Sequence, residues 1–285
     1  MNNNLLGYCS IFQKRPIWFS RLVISRILLY SGLSRWFTIR LGNARLKFFP
    51  TKFSADLWFP AKNIFEDFKL PFLKHGDTVI DVGANIGVTV LLFEQYIGQG
   101  GRVHAFEPNP MIFQYLKENI AMNRVHNVQF YDCALGEKAE QVYLQDNNVA
   151  DTGNAITLEQ DNSFMVRMER LDDVLKESGI EMVHLLKVDT EGYEKFVFDG
   201  AKETLSKTNF IIFEAIEHNC QRFGYSTRDL ADFLCGEGFH VFCYDMDSEV
   251  YEPFDSYRYI HSGRRFSYDL FAVRSQKQLT GVRWS

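Results

Sequence analysis

The first 55 residues contain no aspartate or glutamate. Nine bases fall in the same stretch: Lys14, Arg15, Arg21, Arg26, Arg35, Arg40, Arg45, Lys47 and Lys52. The whole chain carries −5, so the remainder carries −14. Such an asymmetry points to an anionic partner for the N-terminal segment, or to its docking on an acidic body. The apolar stretch Ile17 to Leu33 is broken by Arg21 and Arg26, and its longest uncharged run, Ile27–Ser34, is eight residues. A membrane span needs roughly 18 or more, and a signal peptide needs an uninterrupted apolar region. Neither is expected. An amphipathic helix remains, suited to packing on its own domain, to a homodimer contact, or to peripheral contact with an anionic membrane. The five cysteines are scattered and form no Cys-x-x-Cys pair. A disulfide framework or a structural zinc site is therefore not expected, and reduced thiols fit a cytoplasmic protein.

What is present suits a globular enzyme. The chain has 285 residues, 46% hydrophobic and 24% charged. That is enough for one large α/β domain with a small extension. Residues 1–70 read as the basic extension. It holds the helix and a hairpin over Phe37–Phe49, turned by Gly42-Asn43. Pro50, Pro60 and Pro71 punctuate the chain beyond the hairpin, around one helical candidate, Ser54 to Phe68. Residues 71–285 read as the catalytic domain.

There, strands and helices alternate. Strands are expected at Thr78–Val82, Arg102–Phe106, Asn127–Tyr131, Met182–Val188, Phe210–Phe213, His240–Tyr244 and Tyr268–Val273. Helices are expected at Val88–Tyr96, Pro110–Asn123, Leu171–Lys176, Glu194–Leu205 and Thr227–Leu234. Residues 137–170 read as a hairpin over one sheet edge. The pattern implies a doubly wound α/β fold: a mostly parallel seven-stranded sheet, with an antiparallel edge strand closing it.

The strongest local signal is Asp81-Val82-Gly83-Ala84-Asn85-Ile86-Gly87, which comes after a strand and opens a helix. Glycines let a backbone approach a ligand, and a helix N-terminus offers free N–H groups. The spacing is not the dinucleotide Gly-x-Gly-x-x-Gly. Glu107 ends the next strand, 20 residues after Gly87. A carboxylate there can accept from both hydroxyls of a ribose. Acids at two adjacent strand ends suit a cationic ribose-bearing ligand better than a pyrophosphate. S-adenosylmethionine has no phosphate and carries a sulfonium and an ammonium, so electrostatics favours it over a nicotinamide dinucleotide.

Further segments stand in the same order: Ala105–Pro110, Leu116 with Glu118-Asn119-Ile120, Ala134-Leu135-Gly136, Leu171-Asp172-Asp173, and Leu186–Glu194. Together with Asp81–Gly87 they closely resemble the FkbM family of S-adenosylmethionine-dependent methyltransferases, over roughly residues 70–275. The resemblance implies a class I methyltransferase fold and O-methylation of sugars, glycans or secondary metabolites. It places the donor loop at Asp81, Gly83, Asn85 and Gly87, and the ribose on Glu107. It puts adenine near the turn Asp132-Cys133-Ala134-Leu135, with Asp132 and Ala134 as contacts. Val188-Asp189-Thr190-Glu191 departs slightly from the family's more usual Ile/Val-Asp-Val-Glu.

For the acceptor, Lys187, Asp189 and Glu191 alternate along one strand end, and Glu214 and Glu217-His218 come after the next strand. Asp189 and Glu191 also suit helix capping. Asp189, Glu191 and His218 are the candidate catalytic residues, with His218 as a base suited to neutral pH. A divalent metal on Asp189, Glu191 or Glu214 is a second route to the alkoxide, though no metal centre is assigned. The expected partner is a small-molecule or glycan acceptor, not nucleic acid. Two other readings stand beside this one: a nicotinamide-dependent oxidoreductase, and a non-catalytic nucleotide-binding module tethered at a membrane surface.

Overall fold

The computed structural model describes residues 24, 27, 31, 37–49, 70–145, 155–157, 161–248, 250–263 and 266–275. The chain divides into two units, Met1–Lys69 with Asn147–Thr152, and Leu70–Asp146 with Gly153–Ser285. In the first unit, β1 (Thr38–Leu41) and β2 (Ala44–Lys47) pair antiparallel around Gly42-Asn43. Ile39, Leu41, Ala44 and Leu46 are buried while Arg40 and Arg45 are exposed, the period of two that a strand imposes. Ile24, Ile27 and Ser31 are helical. The rest of the Ile17–Leu33 stretch, and the helical candidate Ser54–Phe68, lie outside the described residues. No helix among the described residues is long and apolar enough to cross a membrane.

The second unit is built on β3 (Thr78–Val82), β4 (Arg102–Phe106), β5 (Val128–Tyr131), β10 (Val183–Val188) and β11 (Thr208–Glu214). These five run parallel, in the order β11-β10-β3-β4-β5. Consecutive residues such as Val79 and Ile80, or Leu185 and Leu186, are fully buried. Neighbouring residues face opposite sides of a strand, so both faces of this sheet are covered. Two helices fill the first crossovers, α1 (Val88–Ile97) and α2 (Pro110–Met122). Asn109 caps α2, its side chain accepting from the N–H groups of Met111 and Ile112, and Pro110 takes the first position.

The seven expected strands are present, and an eighth joins them. β12 (His240–Asp245) and β13 (Val250–Pro253) form a hairpin, and β14 (Phe266–Val273) returns between β11 and β12, antiparallel to both. The antiparallel strand expected at the edge therefore lies inside, and β13 takes the edge. The burial pattern explains this. Leu270 to Val273 are all buried, so β14 needs neighbours on both sides, whereas β13 is half-exposed as an edge strand can be.

Residues 134–169 form more than a hairpin. The short strands β6 (Ala134–Leu135), β7 (Glu140–Gln145), β8 (Ile156–Thr157) and β9 (Ser163–Glu169) make a second sheet with its own small core of Ala134, Leu144, Ile156, Val166 and Met168. A short helix, α3 (Leu171–Leu175), comes next. The helix expected over Glu194–Leu205 is two, α4 (Glu194–Asp199) and α5 (Lys202–Ser206). Gly200 lies so close to the Gly136 carbonyl that a side chain there would collide with it. Asp172 then caps the restarted helix, accepting from the N–H of Glu203 at 3.0 Å and of Thr204 at 2.8 Å. Two further helices, α6 (Glu217–Arg222) and α7 (Thr227–Gly236), precede β12; a last, α8 (Ser256–His261), lies between β13 and β14.

Candidate active site

Strand order reverses at the centre of the sheet. From β3 the chain proceeds through β4 to β5 on one side, then through β10 to β11 on the other. A crevice opens at such a switch point, beyond the carboxyl ends of the strands. The predicted donor loop lies there. Gly83 has φ +78, and a Cβ on it would run into the Asp189 carbonyl. Only glycine permits both that conformation and that approach. Asn85 is also left-handed, at φ 50, its side chain accepting from the Ile86 N–H. Gly87, at φ +90, opens α1.

Glu107 is 7% exposed and held at both oxygens. Oε2 accepts from the Asn85 N–H at 3.0 Å, and Oε1 from the Asn109 N–H at 2.9 Å. Burial pushes its pKa up to about 7, against those two N–H groups, which lower it. Asp81 is 0% exposed. It accepts from the Thr89 hydroxyl at 2.6 Å and sits 3.5 Å from the Lys187 ammonium. Burial raises its pKa, while Lys187 and Thr89 pull it down. Enclosed in this way, Asp81 ties the first turn of α1 to Lys187 on β10.

On β10, Lys187 stands beside Asp81 in register and its ammonium lies 3.1 Å from Asp189. Its pKa is raised by Asp189 and Asp81 although burial opposes the charge. The turn after β10 is held by Glu194. That carboxylate accepts from the Thr190 N–H, the Thr190 hydroxyl and the Gly192 N–H, at 2.9, 3.1 and 3.1 Å. The Tyr225 hydroxyl donates to Glu194 and to the Gly192 carbonyl. Glu194 thus clamps the turn, and the side chains of Asp189 and Glu191 are directed to other partners. Glu191, at φ 57, accepts from the Asn219 amide at 3.1 Å.

The sheet register puts Phe213, Val188, Val82 and Phe106 side by side. One residue further on, the ladder bonds continue: Asp189 N–H to Val82 O, Gly83 N–H to Phe106 O, Glu107 N–H to Tyr131 O. Glu214, Asp189, Gly83 and Glu107 therefore share one row across four strand ends. Asp269 on β14, opposite Glu214, extends it. Carboxylate oxygens of Asp189, Glu191 and Glu214 lie within 4.8 Å of one another, close enough for the three to share a divalent cation. Glu214 Oε2 is shut off from solvent and has no hydrogen-bond partner. Its pKa is pushed up by burial and by Asp189 and Glu191. Burial also raises Asp269, to about 6, and Asp189 adds to this.

Other predicted residues lie apart from this group. The Asp132 side chain is 66% exposed and pairs with Arg167 at 3.2 Å. Ala134 packs into the core of the second sheet. His218 is exposed on α6, and no hydrogen bond or ion pair links it to the cluster. Sequence reasoning missed Asp269 and the clamping role of Glu194. An acid heading the apolar run Leu270–Val273 was the available signal for the first. Glu194 stood inside the quoted motif, four residues beyond Thr190.

A family model described as "Methyltransferase FkbM domain" matches residues 81–241, more than half of the chain. The chain belongs to the FkbM methyltransferase family. It is similar to 31-O-demethyl-FK506 methyltransferase FkbM of Streptomyces tacrolimicus, 31% identical over 46% of this chain and 62% of that one. It is 25% identical to 2-O-methyltransferase NoeI of Sinorhizobium fredii, over 56% of this chain and 72% of that one. It is 27% identical to hexuronic acid methyltransferase AglP of Haloferax volcanii, over 48% of this chain and 55% of that one. The chain thus matches about three fifths of the length of the first of these relatives. A solved methyltransferase FkbM from Methylobacillus flagellatus matches 76% of this chain and 52% of that one, with a TM-score of 0.45 and 14% identity. In this FkbM-family chain, the matched region contains the loop Asp81–Gly87, Glu107 and the acidic cluster up to Glu214.

Proposed function

We propose that this FkbM-family protein methylates a hydroxyl of a sugar, glycan or secondary metabolite, with S-adenosylmethionine as donor. The observation that carries the reading is Glu107. It is buried at the second strand end, each oxygen fixed by one backbone N–H and keeping further acceptor capacity. A ribose diol fits that description. The donor supplies a methyl group on a positive sulfur, a good leaving group needing little stabilisation.

The protein's share is then alignment, worth up to ~7–11 kcal/mol, and removal of the hydroxyl proton. We assign that proton to Glu214 in its ionised form, which burial and its acidic neighbours disfavour and which the positive charge of a bound donor would favour. Its Oε2 is buried, unpartnered and beside Asp189 and Glu191. His218, exposed and unlinked to these residues, is less suited than the sequence suggested. The relatives' names, a 31-O-demethyl-FK506 methyltransferase and a hexuronic acid methyltransferase, motivate the acceptor class. The test is a screen of free sugars, hexuronic acids and lipid-linked glycans with methyl-labelled donor. Label in an alkali-stable ether on one acceptor supports the reading. Label on an amine or on nucleic acid, or none on any acceptor with donor bound, contradicts it.

A further inference from the structure

We infer that the basic N-terminal unit docks on an anionic membrane surface, lying on the bilayer without crossing it. The inference goes beyond the methyl-transfer reading and does not depend on it.

Charge comes first. Residues 1–55 hold nine bases and no acid, while the rest of the chain sums to −14. An excess of one sign in so short a segment bears on association with a polyanion, not on fold. The hairpin shows where part of that charge points. Its strands alternate, with Ile39, Leu41, Ala44 and Leu46 on the buried side. Arg40 and Arg45 are paired in register and both are exposed, so the outward face of the hairpin is basic.

An apolar signal accompanies the charge. Ile24, Ile27 and Ser31 are helical, and steps of three and four residues place them on one helix face. Ile24 is 43% exposed and Ile27 54%. Phe37, just before the hairpin, is 48% exposed. In the sequence, Arg21 and Arg26 lie within three residues of Ile24. Exposed isoleucines interleaved with arginines suit the boundary between lipid headgroups and acyl chains, which accepts apolar groups and positive charge together. No helix among the described residues is long and apolar enough to span, so the contact is peripheral. A nucleic acid would answer the charge and leave the isoleucines in water. A second copy of the segment would set +9 against +9. The bilayer is the partner that answers both features.

The test is vesicle sedimentation of the full chain. Vesicles of phosphatidylserine and phosphatidylcholine in equal parts are compared with phosphatidylcholine alone, at low and at high salt. The anionic vesicles should bind at least about tenfold more tightly at low salt, with the preference shrinking at high salt. Arg40→Glu combined with Arg45→Glu should weaken that binding by about tenfold or more, because each base near such a surface contributes. Ile24→Ser combined with Ile27→Ser leaves the charge unchanged and should weaken it about fivefold. All four side chains are exposed, so both variants should melt with the wild-type protein. Equal binding of the wild-type chain to the two vesicles, or none to either, overturns the proposal, whichever variants fold. Duplex DNA bound more tightly than the anionic vesicles would name a nucleic acid instead and overturn it as well. An isoleucine variant that binds like wild type would reduce the contact to charge alone and also contradict it. None of these outcomes bears on donor binding, which calorimetry reads separately.

Discussion

At the ends of β3 and β4, each carboxylate of the site has a partner inside the protein. Asp81 has Thr89 and Lys187, and Glu107 has the N–H groups of Asn85 and Asn109. At the ends of β11 and β14, Glu214 Oε2 has no hydrogen-bond partner among the described residues, and Asp269 faces Glu214 across the ladder. The first half is a cradle set before any ligand arrives, with Asp81 Oδ1 met by the Lys187 ammonium at 3.5 Å and by no hydrogen bond. The second holds an unsatisfied acceptor, which in a folded protein marks where a ligand's donor or cation belongs. Preorganisation on one side and unspent acidity on the other suit a reaction that must fix one substrate and deprotonate the other.

Glu214→Gln should break the reactive half most sharply. It keeps the shape but cannot take a proton, and turnover should fall by about 10²–10⁴. Under the same assay, EDTA should leave the wild-type rate intact. Loss of activity restored by Mg²⁺ would reassign Asp189, Glu191 and Glu214 to a metal.

Gly83→Ala attacks the cradle. The new methyl meets the Asp189 carbonyl in a backbone conformation that alanine rarely adopts. Strain and overpacking together should cost about 3 kcal/mol or more, read by chemical denaturation. A loss below about 1 kcal/mol would mean that the two strand ends can part freely.

A smaller effect should appear with pH. Burial raises Glu107 and Glu194 to about 7 and Asp269 to about 6. Each folded value lies above its unfolded one, so the folded state binds more protons. Their contribution to stability is fully present below the unfolded values, near 4, and is lost as pH rises through 6 to 7. Thermal melts of the donor-free protein should therefore fall across that window, and Glu107→Gln should flatten the slope. Melting temperatures that rise instead would contradict the assigned burial. The smallest effect is assigned to His218→Ala, with stability within about 0.5 kcal/mol of wild type. A loss of turnover as large as that of Glu214→Gln would return the histidine to the site.

The sheet was legible because its strands are short apolar runs ended by acids or glycines, as in Thr78–Val82 and Val183–Val188. The loop Asp81–Gly87 and Glu107 stood at those ends, where chain order alone locates them. What chain order conceals is register. Asp269 lies 55 residues beyond Glu214, and only the return of β14 between β11 and β12 sets them opposite each other. The split at Gly200 was equally hidden, because the group that excludes a side chain there, the Gly136 carbonyl, comes from a remote turn. His218 read as a base on chemistry alone; α6 presents it to solvent.

The central claim is that Glu107 holds the ribose of S-adenosylmethionine, and calorimetry of the donor with Glu107→Ala tests it most directly. The account predicts binding by the wild-type protein and a loss of about 1.5–3 kcal/mol in the mutant, the worth of hydrogen bonds to a charged acceptor. Unchanged donor affinity in a folded Glu107→Ala protein would contradict it.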